Sequence, residues 1–108
     1  MTLKLAAEDF TKCYGILVLD DDNLIEINSS NIPQKLLLKL KKWYSNYYKF
    51  TGMSLEELAL FESEINFLDE IGLELLKDIS KLDMFKNVKR FIYYSRGKDK
   101  VLLELNYC

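Results

Sequence analysis

The chain contains no histidine. That absence removes the commonest general base at neutral pH, the Ser–His and Cys–His nucleophile pairs, and the commonest transition-metal ligand. Cysteine is nearly as scarce: Cys13 and Cys108 stand far apart, without the Cys-x-x-Cys spacing of a zinc ribbon. The four glycines, Gly15, Gly52, Gly72 and Gly97, are isolated, so no phosphate-cradling loop can be written. No apolar run approaches the ~20 residues needed to cross a bilayer, since Leu36-Leu37-Leu38 is bracketed by Lys35 and Lys39. Met1 to Phe10 carries a lone Lys4, then Glu8 and Asp9, which is not the basic start and apolar stretch of a signal peptide. A cytoplasmic location with reduced thiols is therefore expected, and both a Cys13–Cys108 disulfide and use of the Asn28-Ser29-Ser30 sequon are set aside.

Carboxylates are the remaining chemistry. Asp20-Asp21-Asp22 lacks the glycine and the terminal bidentate glutamate of a calcium loop, and reads as a solvated turn. Glu70 and Glu74 stand one helical turn apart, a spacing that on a surface helix is ordinarily an acidic stripe and not an acid–base pair. The sequence thus predicts no enzyme, no metal and no cofactor.

What is present is the composition of a compact domain: 108 residues, 49% hydrophobic and 30% charged. Cys13 to Leu19 and Leu24 to Ile27 read as strands around the turn-forming Asp20-Asp21-Asp22-Asn23. Ser29-Ser30-Asn31 before Pro33 suggests an N-cap, and Leu36, Leu37, Leu40, Trp43, Tyr44, Tyr47 and Phe50 form a helical stripe that ends near Gly52. Ser54-Leu55-Glu56-Glu57 is a capping-box pattern, opening a short helix over 55–61. A long helix over 64–82 follows from Leu68, Ile71, Gly72, Leu75, Leu76, Ile79 and Leu82. Alternation from Val88 to Tyr94 and from Val101 to Asn106, broken by Ser95 to Asp99, closes the chain with a second hairpin. The expected architecture is a single α+β domain over 1–108: a four-stranded antiparallel sheet of two hairpins with two to three helices packed on one face, in the order ββ-αα-ββ.

Charge is segregated along the chain. The first long helix carries Lys35, Lys39, Lys41, Lys42 and Lys49 and no acid, whereas 54–83 holds nine acids against Lys77 and Lys81, a net −7. The basic helix with Trp43, Tyr44, Tyr47 and Tyr48 could stack nucleic-acid bases, but these aromatics fit the core stripe better, and the pI near 5.2 disfavours a phosphate backbone. The acidic segment is either a solvated face or a surface matched to a basic partner. Seven tyrosines suit an interface.

Trp43-Tyr44, Tyr47-Tyr48, the run Phe67-Leu68-Asp69-Glu70-Ile71-Gly72-Leu73-Glu74-Leu75-Leu76, and the strand Val88 to Tyr93 form a longer pattern, preceded by Leu19-Asp20-Asp21-Asp22 and Ile32-Pro33. From about Tyr14 to Leu105 it resembles the immunity proteins of contact-dependent growth inhibition and related polymorphic toxin systems. The resemblance implies a bacterial cytoplasmic protein that binds and neutralises one cognate toxin domain, commonly a nuclease with a basic surface, without catalysis. Asp20, Asp21, Asp22, Glu62, Glu64, Asp69, Glu70 and Glu74 are the expected partner contacts, and the chain is expected to be a monomer or weak homodimer. The alternative is a small adaptor that self-associates through a patch of Trp43 and the tyrosines.

Overall fold

The structure, a computed structural model, describes residues 1–8 and 13–107. Among these, five strands form one sheet: β1 (Thr2–Leu5), β2 (Ile16–Asp20), β3 (Asn23–Ile25), β4 (Arg90–Ser95) and β5 (Lys100–Asn106), in the spatial order β3-β2-β1-β4-β5. Between β3 and β4 lie α1 (Gln34–Tyr48), α2 (Leu55–Ala59) and α3 (Glu62–Ser80), with single 3-10 turns at Ser29–Asn31 and Asp83–Phe85.

The α+β class agrees with the sequence, but the expected four-stranded antiparallel sheet of order ββ-αα-ββ is corrected to a five-stranded mixed one. The extra strand, β1, joins the two hairpins. It pairs antiparallel with β2, Leu3 opposite Val18, and parallel with β4, Leu3 opposite Phe91. Thr2-Leu3-Lys4-Leu5 does alternate, but over only four residues, the shortest length at which a period of two can be read. Its importance lies in burial: Leu3 and Leu5 are fully enclosed in the centre of the sheet.

Strand alternation sends Leu3, Leu5, Ile16, Val18, Phe91 and Tyr93 to the face covered by helices, where they meet Leu40, Trp43 and Tyr47 of α1 and Leu68, Leu75, Leu76 and Ile79 of α3. The two long helices run in opposite directions, with Lys49 near the end of α1 paired to Glu64 near the start of α3. On the opposite sheet face the charges are tied down locally: Arg90 pairs with Glu104 across β4 and β5, and Lys4 Nζ sits 4.6 Å over the Tyr94 ring.

Helix starts follow local chemistry. Ser54 Oγ accepts the Glu57 amide at 3.2 Å, the capping contact expected from its sequence. The start of α1 differs from expectation. Asn28 Oδ1 accepts the Ser30 amide at 3.0 Å and caps only the 3-10 turn, while Ile32, held extended before proline, interrupts the helix until Gln34. Gly15 adopts a φ of +101°, and a Cβ there would lie 2.9 Å from both the Ala6 carbonyl oxygen and the Trp43 ring, so only glycine fits. Cys13 is half-buried and desolvation pushes its thiol pKa up, while Cys108, the other half of the disulfide considered above, lies outside the described residues.

Gly72 is buried on the sheet side of α3, where a Cβ would fall 2.3 Å from the Tyr93 ring. At an exposed helical position Gly→Ala would gain up to about 1 kcal/mol. Here the sign reverses: Gly72→Ala is expected to lose roughly 1–3 kcal/mol through overpacking, because the Tyr93 hydroxyl is anchored by a hydrogen bond and the ring cannot retreat. Urea denaturation of the two proteins checks this, and a stabilised Gly72→Ala would show that α3 does not approach the sheet as described.

Candidate functional site

The buried stripes of α1 and α3 decide what remains outside. Leu36, Leu37, Leu40, Trp43 and Tyr47 turn inward, so Lys39, Lys42 and Asn46 stand along the α1 edge facing α3. On α3, burial of Ile65, Leu68, Gly72, Leu75 and Ile79 leaves Phe67, Glu70, Glu74 and Asp78 along the facing edge. Two adjoining cavities of about 340 and 220 Å³ share Lys39, Phe67 and Ile71, and together they form one groove between the helices. Its floor is Ile71 and Leu75 with an edge of Trp43, one wall is acidic (Glu70, Glu74, Asp78) and the other basic (Lys39, Lys42). Phe67 stands on the rim at 62% exposure, an aromatic ring left in water. Among the described residues, the only acid of this wall in an ion pair within 4 Å is Glu74, 3.8 Å from Lys77. An apolar floor between charged walls has the shape and chemistry to accommodate an apolar group flanked by charges.

No family model, no curated protein and no solved structure matches the chain.

The structure distributes the expected contact residues over five places. Glu70 and Glu74 come together on the groove wall, joined by Asp78. Glu62 lines a separate depression between α2 and the β4–β5 turn, beside Lys98 and Lys100. Glu64 is exposed but paired to Lys49. Asp20, Asp21 and Asp22 are exposed in the β2–β3 turn, where Asp21 takes a left-handed φ of 54° that aspartate tolerates better than most residues. None of the three lines the groove. Among the described residues, no three acid or thiol side chains converge as metal ligands would.

Asp69 is a correction. It is 2% exposed, and it is not on the surface but in the core. Its Oδ1 accepts from the Tyr93 hydroxyl at 2.7 Å and the Tyr47 hydroxyl at 2.9 Å; its Oδ2 accepts from Ser95 Oγ at 2.8 Å and lies 3.6 Å from Lys98 Nζ. The network extends outward, since the Gly97 amide donates to the Tyr47 oxygen at 2.9 Å and the Lys98 amide to Ser95 Oγ at 3.1 Å. Of the residues expected in a self-association patch of Trp43 and the tyrosines, Trp43, Tyr47 and Tyr93 are buried, with Trp43 Nε1 donating to the Leu68 carbonyl at 3.0 Å, whereas Tyr14, Tyr48 and Tyr107 are exposed.

The groove-lining residues that the sequence did not single out as contacts are Phe67, Ile71, Asp78, Lys39 and Lys42. One signal was available. Phe67 lies off the stripe of Leu68, Gly72, Leu75 and Ile79, so an aromatic there cannot share their burial. Pairing the basic edge of α1 with the acidic edge of α3 required their antiparallel packing, which no local pattern contains.

The buried carboxylate makes two measurable differences. Asp69→Asn replaces an acceptor with an amide NH2 that faces donors whichever way it is turned, and is expected to destabilise by about 3 kcal/mol, whereas Glu70→Gln on the groove wall should stay within about 0.5 kcal/mol. Chemical denaturation of both variants checks the contrast. Alkaline pH gives the second. Burial, reinforced by the Asp69 charge, pushes Tyr47 up from 10.0 to about 12, and burial with the same charge pushes Tyr93 up further. Both phenols stay protonated in the fold at pH values where the unfolded chain ionises. Their contribution is full below about pH 10 and is lost as pH rises toward 12. The melting temperature should fall steadily across that window, and Tyr93→Phe should flatten the fall by removing one of the protons that the fold retains; an unchanged slope would contradict the assignment.

Proposed function

We propose that this chain is a bacterial immunity protein, acting in the cytoplasm, that binds a cognate toxin domain one-to-one and blocks it without catalysis. The observation that carries the reading is the groove wall of Glu70, Glu74 and Asp78 beside the exposed ring of Phe67. Such a surface suits a partner that presents an apolar side chain flanked by arginines or lysines, as the basic clefts of nucleases do. The resemblance of the sequence to immunity proteins supports the same role. Acidic wall and aromatic rim divide the work: charge speeds encounter and rejects acidic partners, and the desolvated ring and floor slow dissociation.

Co-expression with a toxin encoded beside the gene is the test. The wild-type chain should restore growth. Glu70→Lys, Glu74→Lys and Asp78→Lys together should abolish protection, and Phe67→Ala should weaken it by tenfold or more, about 1.4 kcal/mol of binding. Circular dichroism should remain native in both, since these side chains are exposed. Association of the purified pair should slow with added salt while dissociation changes less. The matched control reverses Lys86, Lys89 and Lys100 to Glu and leaves Lys98 alone because it neighbours buried Asp69. Loss of protection by this control set and not by the groove set would move the docking face to the sheet edge, and a wild-type chain that protects against no adjacent toxin would end the immunity reading.

A further inference from the structure

We propose that the α1–α3 groove is also the interface of a reversible homodimer, in which a second copy of this chain lays its basic α1 wall over the acidic α3 wall of the first. Opposite signs stand level with each other across the groove: Lys39 shares its lining with Glu70, Glu74 and Asp78, and Lys42 lies alongside Phe67 and Ile71. Neither Lys39 nor Lys42 has a carboxylate partner on its own chain among the described residues.

A twofold axis in the plane of this face has two principal orientations. An axis across the helices sets α1 on α1 and α3 on α3, placing lysine over lysine and glutamate over glutamate. An axis along the groove sets α1 of each copy over α3 of the other, so that each Lys39 faces the other copy's Glu70 and Glu74 and each Lys42 faces its Phe67. Charge selects the second, and it does so twice, because the symmetry repeats every contact. A lysine over an exposed aromatic ring adds attraction of its own.

The expected strength follows from size. The 15 residues of α1 make it about 22 Å long, and two adjacent helices are about 20 Å across. That projected face, on the order of 450 Å², yields a larger area once its ridges are counted but stays at the lower end of the ~800 Å² per partner that specific dimers bury. The dimer is weak and concentration-dependent, and salt weakens it. Self-pairing covers Glu70, Glu74 and Asp78, so dimer and partner complex exclude one another; this consequence rests on the proposed function, whereas the pairing itself does not.

Sedimentation equilibrium of the full chain from the micromolar to the millimolar range tests it. The mass should rise from monomer toward dimer and fall back with added salt. Lys39→Glu with Lys42→Glu, and separately Glu70→Lys with Glu74→Lys, should each remain monomeric where the wild type pairs. Mixed in equal amounts, the two variants should form a heterodimer, because one then presents two acidic walls and the other two basic ones. Misfolding cannot produce that restoration. A wild type monomeric throughout, variants that still dimerise alone, or a mixture that stays monomeric would each overturn the dimer. A monomer that still protects against its toxin through Glu70 and Glu74 would sink the dimer and leave the proposed function standing; a dimer that protects against nothing would do the reverse.

Discussion

A single buried carboxylate ties the layers of this protein together. Asp69 of α3 accepts hydroxyls from Tyr47 of α1 and from Tyr93 and Ser95 of β4, and its remaining charge is met by Lys98 of the β4–β5 turn. Burying a carboxylate is costly unless it is paired and fully hydrogen-bonded, so every one of these donors is constrained in position. The Tyr93 ring is thereby held against α3, which leaves no space for a side chain at position 72 and sets how closely the helix approaches the sheet. The β4–β5 turn is fixed by the same atoms, because Tyr47 and Ser95 pass hydrogen bonds on to the amides of Gly97 and Lys98.

The outer surface inherits that constraint. With α1 and α3 locked antiparallel on the sheet, the residues flanking their buried stripes are brought edge to edge, and a basic edge meets an acidic one across an apolar floor. Neither helix has this property alone. The net charge of −2 conceals it as well, since opposite signs are separated by only the width of a groove. Any partner docked on a surface of this kind would have to match it in shape and in the sign of charge on each side.

Both proposed occupants of the groove use the same acids, and this gives the protein a simple hierarchy. A large, strongly basic partner surface gains more from Glu70, Glu74 and Asp78 than the two lysines of a second copy offer. Self-pairing, as proposed, would then be a low-affinity resting arrangement that a cognate partner would displace by mass action.

Much of the architecture was legible in the residues. Turn chemistry at Asp20 to Asn23, the capping serine at Ser54 and the helical stripes of Leu36 to Tyr47 and Leu68 to Ile79 are short-range signals, and each led to an element close to its observed place. The acidic character of α3 and the exposure of Glu70 and Glu74 were legible for the same reason. Tertiary structure decided the rest. Four alternating residues at Thr2–Leu5 became the central strand only because β2 and β4 were there to pair with them. Asp69, one acid among nine in its segment, was indistinguishable from its neighbours until packing set three hydroxyls around it. The groove likewise exists only between residues of two helices that stand more than twenty positions apart in the chain, because burial and charge pairing are properties of surfaces brought together and not of the segments that supply them.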